Sequence, residues 1–312
     1  MSGHRWSSAE LPSLAGASVV VTGANSGIGW YTALELARHG AGVTLAVRSL
    51  EKGEAAAARI REAAAEADVR VAHLDLGSLT SVREFARSWQ GPLGLLVNNA
   101  GLMTPPRYQQ TTDGFELQLG TNHLGHFALT GLLLPALLAA PQPRVVTVSS
   151  IGHRHGRASL LDANPAEGYH ASRYYGNSKL ANLLFAFELQ RRAAIAGTPL
   201  TSTAAHPGVS HTNLVTSEQG LGSLRYVRVV MPLVLRVVLQ SAAAGAEPTL
   251  YAATSAGPGS YTGPQRWRES RGPIGPAALS PLATDQALAD KLWSLSEDLT
   301  GVRYEWPDSG PR

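Results

Sequence analysis

Apolar residues follow two rhythms along this chain. Short runs rich in Val, Leu and Ile recur at Ser18–Thr22, Val43–Val47, Val69–Leu74, Leu93–Val97, Arg144–Ser149 and Leu200–Ala205. They are apolar on both faces, as strands buried between two layers must be. Between them lie stretches with helical spacing: Gly29–His39, Glu51–Glu66, Ser78–Trp89, Thr112–Ala140 and Tyr174–Ala196. "EKGEAAAARIREAAAEA" is the clearest, with high helix propensity and Glu–Arg pairs. Strand and helix alternating in this way predict stacked βαβ units on a parallel sheet. The fold class is therefore α/β: a single Rossmann-like, doubly wound domain, with a central parallel sheet of about seven strands flanked by helices. After Pro207 the alternation weakens. His211–Ala246 reads as helical or irregular, followed by a short strand near Gly259–Thr262 and a last helix near Thr284–Leu299.

Composition narrows the class. The 312 residues are 44% hydrophobic and 16% charged, which suits a globular domain and excludes a disordered one. Net charge is +3 with no run of Lys or Arg, so no nucleic-acid groove is expected. Cysteine is absent, which removes disulfides, thiolate metal sites and a Cys nucleophile, and suits a reducing cytoplasm. The start, "MSGHRWSSAELPSLAG", lacks the apolar core of a signal peptide. The most apolar window, Tyr226–Leu239, is interrupted by Arg228, Pro232 and Arg236 and is too short to span a bilayer. The expectation is a cytoplasmic protein without stable membrane insertion.

In doubly wound sheets ligands sit outside the carboxyl ends of the strands. After the first strand comes "TGANSGIG", with Gly23, Asn25, Ser26, Gly27, Ile28 and Gly29 on a strand-to-helix turn. Glycine there lets the backbone approach a pyrophosphate, and the helix-start N–H groups face the anion. The second strand ends in Val47-Arg48-Ser49. A site for NAD usually carries an acidic residue at this tip. Arg48 instead suits a 2′-phosphate, which a guanidinium holds through paired charge-assisted hydrogen bonds. The expected cofactor is NADP(H), with NAD disfavoured. At the third tip, Asp75 and Leu76 follow Leu74; Asp75 can accept from an adenine amino group or cap the next helix. Asn98, Asn99, Ala100 and Gly101 follow the fourth strand, where small residues permit close approach and amides can tie strands together.

"YYGNSK" places Tyr175 and Lys179 four residues apart at a helix start, hence on one helical face. An ammonium beside a phenol favours the phenolate, and a phenol must move from its ordinary value near ~10 toward neutrality to serve as acid and base. Together, "TGANSGIG", "NNAG", "NHLGHF", "VSS", "YYGNSK" and "HPG", in that order, resemble the short-chain dehydrogenase/reductase family over about Ser18 to Thr262. The forms "NHLGHF" and "SKLANLLFAFEL", with Arg48, resemble its retinol dehydrogenase-like branch.

The resemblance implies roles. Tyr175 would give and take the proton, and Lys179 would activate it and bind ribose hydroxyls. Ser150, rather than Ser149, would bond the substrate oxygen. Asn122 would hold a water in a proton relay. Pro207, Gly208 and Val209 would lie at the cofactor, with Thr212 on the nicotinamide amide. Tyr174 reads as an aromatic packed on the pocket wall. Ser150 and Tyr175 are 25 positions apart, farther than in the shortest relatives, and the insertion leaves homo-oligomer formation open. His153, His155, His170, His206 and His211 match no tight ligand spacing, so no metal is expected.

Met103, Pro105 and Pro106, then Leu214, Leu221, Leu224 and Tyr226–Leu239, could roof an apolar pocket, or the last segment could be core or a subunit contact. Residues 1–312 thus form one domain, with an extension at about 1–15, a substrate-covering segment at about 209–257 and a C-terminal helix and tail at about 265–312. The expected activity is hydride transfer between NADP(H) and the carbonyl or alcohol of a hydrophobic small molecule. The competing reading is a catalytically silent dinucleotide-binding sensor or scaffold. A P-loop phosphotransferase is excluded, because the glycine turn has no Gly-Lys-Ser/Thr ending.

Overall fold

The computed structural model describes residues 6–162, 168–208 and 240–307. Val209, Thr212 and the apolar stretch to Leu239 lie outside the described residues. Eight strands among the described residues form one sheet in the order β3-β2-β1-β4-β5-β6-β7-β8. They are β1 Ser18–Thr22, β2 Gly42–Val47, β3 Val69–His73, β4 Leu95–Asn98, β5 Arg144–Val148, β6 Thr201–Ala205, β7 Tyr261–Arg266 and β8 Arg271–Pro276. The first seven run parallel, and β8 pairs antiparallel with β7.

The eighth strand adds to the sequence reading. The sequence predicts about seven strands and places "RGPIGP" within the C-terminal helix and tail; its prolines cannot donate to a ladder. At the sheet edge they need not, and the hairpin with β7 carries the register.

The helices are α1 Gly27–Arg38, α2 Leu50–Ala63, α3 Leu79–Ser88, α4 Leu117–Leu119, α5 Gly125–Leu132, α6 Leu134–Leu138, α7 Ala171–Ile195, α8 Ala242–Thr254 and α9 Gln286–Thr300. In α2, Ser49 caps the start by accepting from Lys52 N at 3.3 Å, and Gly53, Ala56, Ala57 and Ile60 form the buried stripe. Gly53 is close-packed: a Cβ there would meet Val47 and Val71 at 2.6 Å. Small residues on that stripe therefore set how near α2 lies to the strands.

The long helix expected over Thr112–Ala140 is broken. It opens only at Leu117, passes through a π turn at Gly120–Leu124 and, after α5 ends at Leu132, restarts at Leu134 in α6, with Pro135 in its first turn. Asp113-Gly114 makes a turn instead, with Asp113 accepting from Leu79 N at 2.8 Å.

Alternate residues of β1 feed opposite faces. Val19 and Val21 join a core with Leu34, Leu36 and Ile60. Val20 joins Leu96, Phe127, Phe185 and Trp293 on the other side. Each such side chain contributes roughly 1.5–3 kcal/mol by burial. Within the segment expected to cover the substrate, 242–254 form α8, whose Ala246, Leu250 and Ala253 join the core of Val19 and Ala33. That helix is thus a layer of the sandwich.

The strand order reverses between β1 and β4, so the turns after these strands diverge and open a crevice at their carboxyl ends.

Candidate active site

A cleft of about 370 Å³ opens at that switch point. It is lined by Gly23, Asn25, Ser26, Gly27, Ile28, Gly29, Arg48, Ser49, Asp75, Leu76, Asn99, Ala100, Gly101, Tyr175, Lys179 and Pro207. All had been singled out in the sequence. Lys52, Thr121, Leu102, Val148 and Ser149 also line it and had not been assigned to it. A larger cavity near the start of α7, about 840 Å³ and lined by Arg154, Arg157 and Arg173, contains none of these residues.

The glycine turn is tightly built. Gly23 takes φ +66°, and a Cβ on it would sit 2.9 Å from Ala100. A Cβ on Gly29 would stand 2.4 Å from Asn99 Nδ2 and 2.8 Å from Gly23 O. Only bare backbone fits, which leaves the N–H groups at the start of α1 open to an anion. This cradle fits a dinucleotide pyrophosphate.

A buried hydroxyl pins the floor. Thr22 Oγ1 accepts from Asn99 N and Ala100 N, both at 2.9 Å, and lies 2.9 Å from His126 Nε2. The other ring nitrogen, Nδ1, lies 2.9 Å from Asn122 O. A carbonyl only accepts, so Nδ1 carries the hydrogen and Nε2 accepts from Thr22. Burial brings His126 down to about 4, with the nearby Lys179 charge acting the same way and the Asn122 carbonyl opposing, so the ring is neutral at pH 7. Sequence reasoning missed Thr22 and His126. The only signal was a polar histidine within an apolar helix.

Asn99 Nδ2 donates to Thr22 O at 2.8 Å and so ties adjacent strands. Asp75 does not cap α3; that cap is Ser78. Asp75 Oδ1 accepts from Gly77 N at 2.9 Å and closes its own turn at the cleft edge.

At the other end, α7 brings Tyr175 and Lys179 to the cleft wall. Lys179 Nζ donates to Val148 O at 3.1 Å and stands 5.9 Å from the Tyr175 ring centroid. The expectation that this ammonium lowers the phenol is not met in this arrangement. Burial pushes Tyr175 above its ordinary value, with a hydrogen bond to the Ser150 hydroxyl opposing it. The buried ammonium is itself destabilised, and Lys179 falls to about 8.

The two serines separate clearly. Ser149 Oγ donates to Lys179 O at 2.8 Å, a structural bond. Ser150 Oγ accepts from Gly152 N at 3.1 Å. A Cβ on Gly152 would be 3.0 Å from Tyr175 Cε1 and 3.4 Å from Ser150 Oγ, so the phenol ring and the Ser150 hydroxyl flank one small residue.

Asn122 sits in the π turn, buried. Its Oδ1 accepts from Leu102 N at 2.9 Å, and Nδ2 donates to Leu102 O at 3.0 Å and Ser178 Oγ at 2.9 Å. Both amide hydrogens are committed to protein. Tyr174 is buried and stacks on Tyr169 at 5.2 Å. Gly208 lies next to the β7–β8 hairpin, where its N donates to His206 Nδ1 at 3.1 Å. His153 and His206 are buried, and His155 and His170 are exposed. Among the described residues no group of three or more ligating side chains could hold a metal ion, and no helix is long and apolar enough to cross a membrane.

A doubly wound sheet with a glycine cradle at its switch point defines a dinucleotide-binding protein. The chain belongs to the short chain dehydrogenase family, whose pattern matches residues 17–220, and it is an oxidoreductase of the retinol dehydrogenase-like branch. Human retinol dehydrogenase 12 is 41% identical over 295 residues, 94% of this chain and 89% of that protein. Human retinol dehydrogenase 13 is 39% identical over 291 residues, 92% of this chain and 85% of that protein. A crystal structure of an uncharacterised Mycobacterium paratuberculosis protein shares 46% identity at a TM-score of 0.81, covering 97% of this chain and all of that one.

Proposed function

We propose that the protein transfers hydride between NADP(H) and the carbonyl or alcohol group of a hydrophobic small molecule, with Tyr175 as general acid and base. The observation that carries this reading is that Tyr175 and Lys179 line the same crevice as the glycine cradle, with the Ser150 hydroxyl bonded to the phenol just behind the lining. NADP(H) supplies or accepts the hydride. The protein's own work is to bind, orient and move one proton.

The cradle Gly23–Gly29 would hold the pyrophosphate on backbone N–H groups. Arg48 and Lys52 both line the cleft beyond β2, two cations where an NAD site carries a carboxylate, which supports a 2′-phosphate there. Asn99, Ala100 and Gly101 leave room for the adenosine side, and Val148 and Pro207 line the same cleft.

Burial keeps the phenol protonated in the resting site but also makes it a weaker acid, so proton transfer in either direction needs a cation brought to the hydroxyl. Ser150 would bond the substrate oxygen beside it. Oxidation needs the phenolate, and Lys179 would favour it by leaving Val148 O and turning toward the hydroxyl. Burial has already made that ammonium costly, which keeps Lys179 poised to share its charge. The sensor or scaffold reading is disfavoured, because Tyr175, Lys179 and Ser150 all stand together.

The test is a screen of apolar aldehydes, ketones and alcohols with NADPH, NADH and their oxidised forms. The expected outcome is turnover of at least one apolar carbonyl, at least tenfold more efficient with NADPH than with NADH. Equal efficiency, or a preference for NADH, would overturn the cofactor assignment; no turnover across the panel would overturn the substrate class.

A further inference from the structure

Gln118 lies one helical turn before Asn122, and both grip the same loop. Asn122 takes Leu102 by its N–H and its carbonyl, at 2.9 and 3.0 Å. Gln118 Oε1 accepts from Thr104 N at 2.8 Å. Gln118 is fully buried, and its Nε2 donates to Tyr169 OH and to Ala171 O, both at 3.0 Å. One amide therefore joins the loop after β4 to the segment that opens α7, four residues ahead of Tyr175.

Two further observations show that this joint holds something under tension. Thr104 has φ +47°, a left-handed conformation that β-branched residues avoid. It also precedes Pro105, and the residue before proline prefers extended backbone. Such strain persists only where the surroundings impose it, and it clusters at ligand clamps. The second observation is the wall behind the clamp. Tyr169, held by Gln118 and by a bond to the buried Glu116 carboxylate at 3.3 Å, stacks on Tyr174 and takes the edge of Tyr108 at 5.5 Å. Leu102, at the start of this loop, lines the cleft beside Tyr175.

The geometry points to Gln118 as a positioning residue that sets substrate specificity. It holds Thr104 in its strained conformation and locks loop 102–108 against the tyrosine trio behind it, so that Leu102, where the loop meets the cleft, forms a preformed wall there. The occupant of that wall is the apolar part of the carbonyl or alcohol substrate; this much rests on the hydride-transfer reading. The wall itself does not.

The experiment uses the full chain and Gln118→Met, which keeps the shape and removes these three bonds together with a long one, 3.5 Å, from Nε2 to Glu116 Oε1. Hydrogen exchange is followed by mass spectrometry without substrate. The peptide covering 102–108 is expected to exchange at least tenfold faster, with the α2 peptide unchanged. Unchanged exchange at 102–108, or acceleration spread equally to α2, would overturn the clamp. Where the wild type turns over a carbonyl, its KM rises about tenfold in Gln118→Met, while NADPH affinity stays within about twofold and kcat within about threefold. Parallel loss of NADPH affinity would contradict the assignment. Adding Thr104→Gly, which adopts positive φ without penalty, is expected to recover at least half of the lost affinity on a logarithmic scale, and no recovery counts against the proposal. A panel without any turnover overturns the proposed apolar substrate class, and the exchange measurement still decides the clamp.

Discussion

The two ends of the cleft are built differently. The dinucleotide end comes from strand-to-helix turns, where a few consecutive residues make the whole contact surface. Gly23 and Gly29 act by what they lack, and the backbone does the binding. The chemical end is assembled from segments far apart in sequence: Leu102 and Thr104 after β4, Gln118 and Asn122 around the π turn, Ser150 after β5, and Tyr175 and Lys179 on α7. These are joined by buried polar bonds, which are costly to leave unmade. The first end should tolerate change beyond its turns, whereas the second should respond to substitutions that never touch a ligand.

The largest expected effect separates chemistry from binding. Tyr175→Phe should lower kcat/KM by roughly 10³-fold or more, equivalent to about 4 kcal/mol, while NADPH affinity in a fluorescence titration barely moves. Retained turnover would remove the proton role from this residue.

Next comes acid, which probes the buried floor. His126 is held at about 4, below the ~6.5 of an unfolded chain. Between these values the unfolded state binds the extra proton, so stability from this group is whole above ~6.5 and is lost as pH falls toward 4. At pH 5 the loss amounts to up to about 2 kcal/mol, read from urea unfolding at pH 5 and 7. A flat profile over that window would mean that the ring is not buried neutral. His123 and His206, both at about 3, add to the same slope.

A smaller change tests the dinucleotide end alone. Arg48→Gln should cost about 10-fold in efficiency with NADPH, near 1.4 kcal/mol, and leave NADH unchanged. Equal loss with both cofactors would make Arg48 a structural residue. The smallest effect divides neighbours. Ser149→Ala should cost about 1 kcal/mol of stability through its lost bond to Lys179 O and leave KM for the carbonyl intact, whereas Ser150→Ala should raise that KM at unchanged stability. The opposite pattern would exchange their roles.

Much of this architecture was legible from patterning. Six strands lie where the apolar runs place them, because a strand buried on both faces has little freedom in composition. Pro135 and Asp113-Gly114 already interrupt the expected long helix, yet helical periodicity continued across them and hid the breaks. β8 was invisible, since its prolines are acceptable only at an edge that the sequence cannot reveal. Lys52 was missed because a cation within a helix reads as surface unless the strand tip is known to face it.

The sequence by itself determined the class of fold, the glycine cradle and the pairing of Tyr175 with Lys179, since each depends on residues near one another along the chain. Only the tertiary structure decided which serine faces the phenol, that burial raises Tyr175 instead of Lys179 lowering it, and that Asn122 and Gln118 hold one loop. Those outcomes are set by burial and by bonds between distant segments, and neither quantity is written in local spacing.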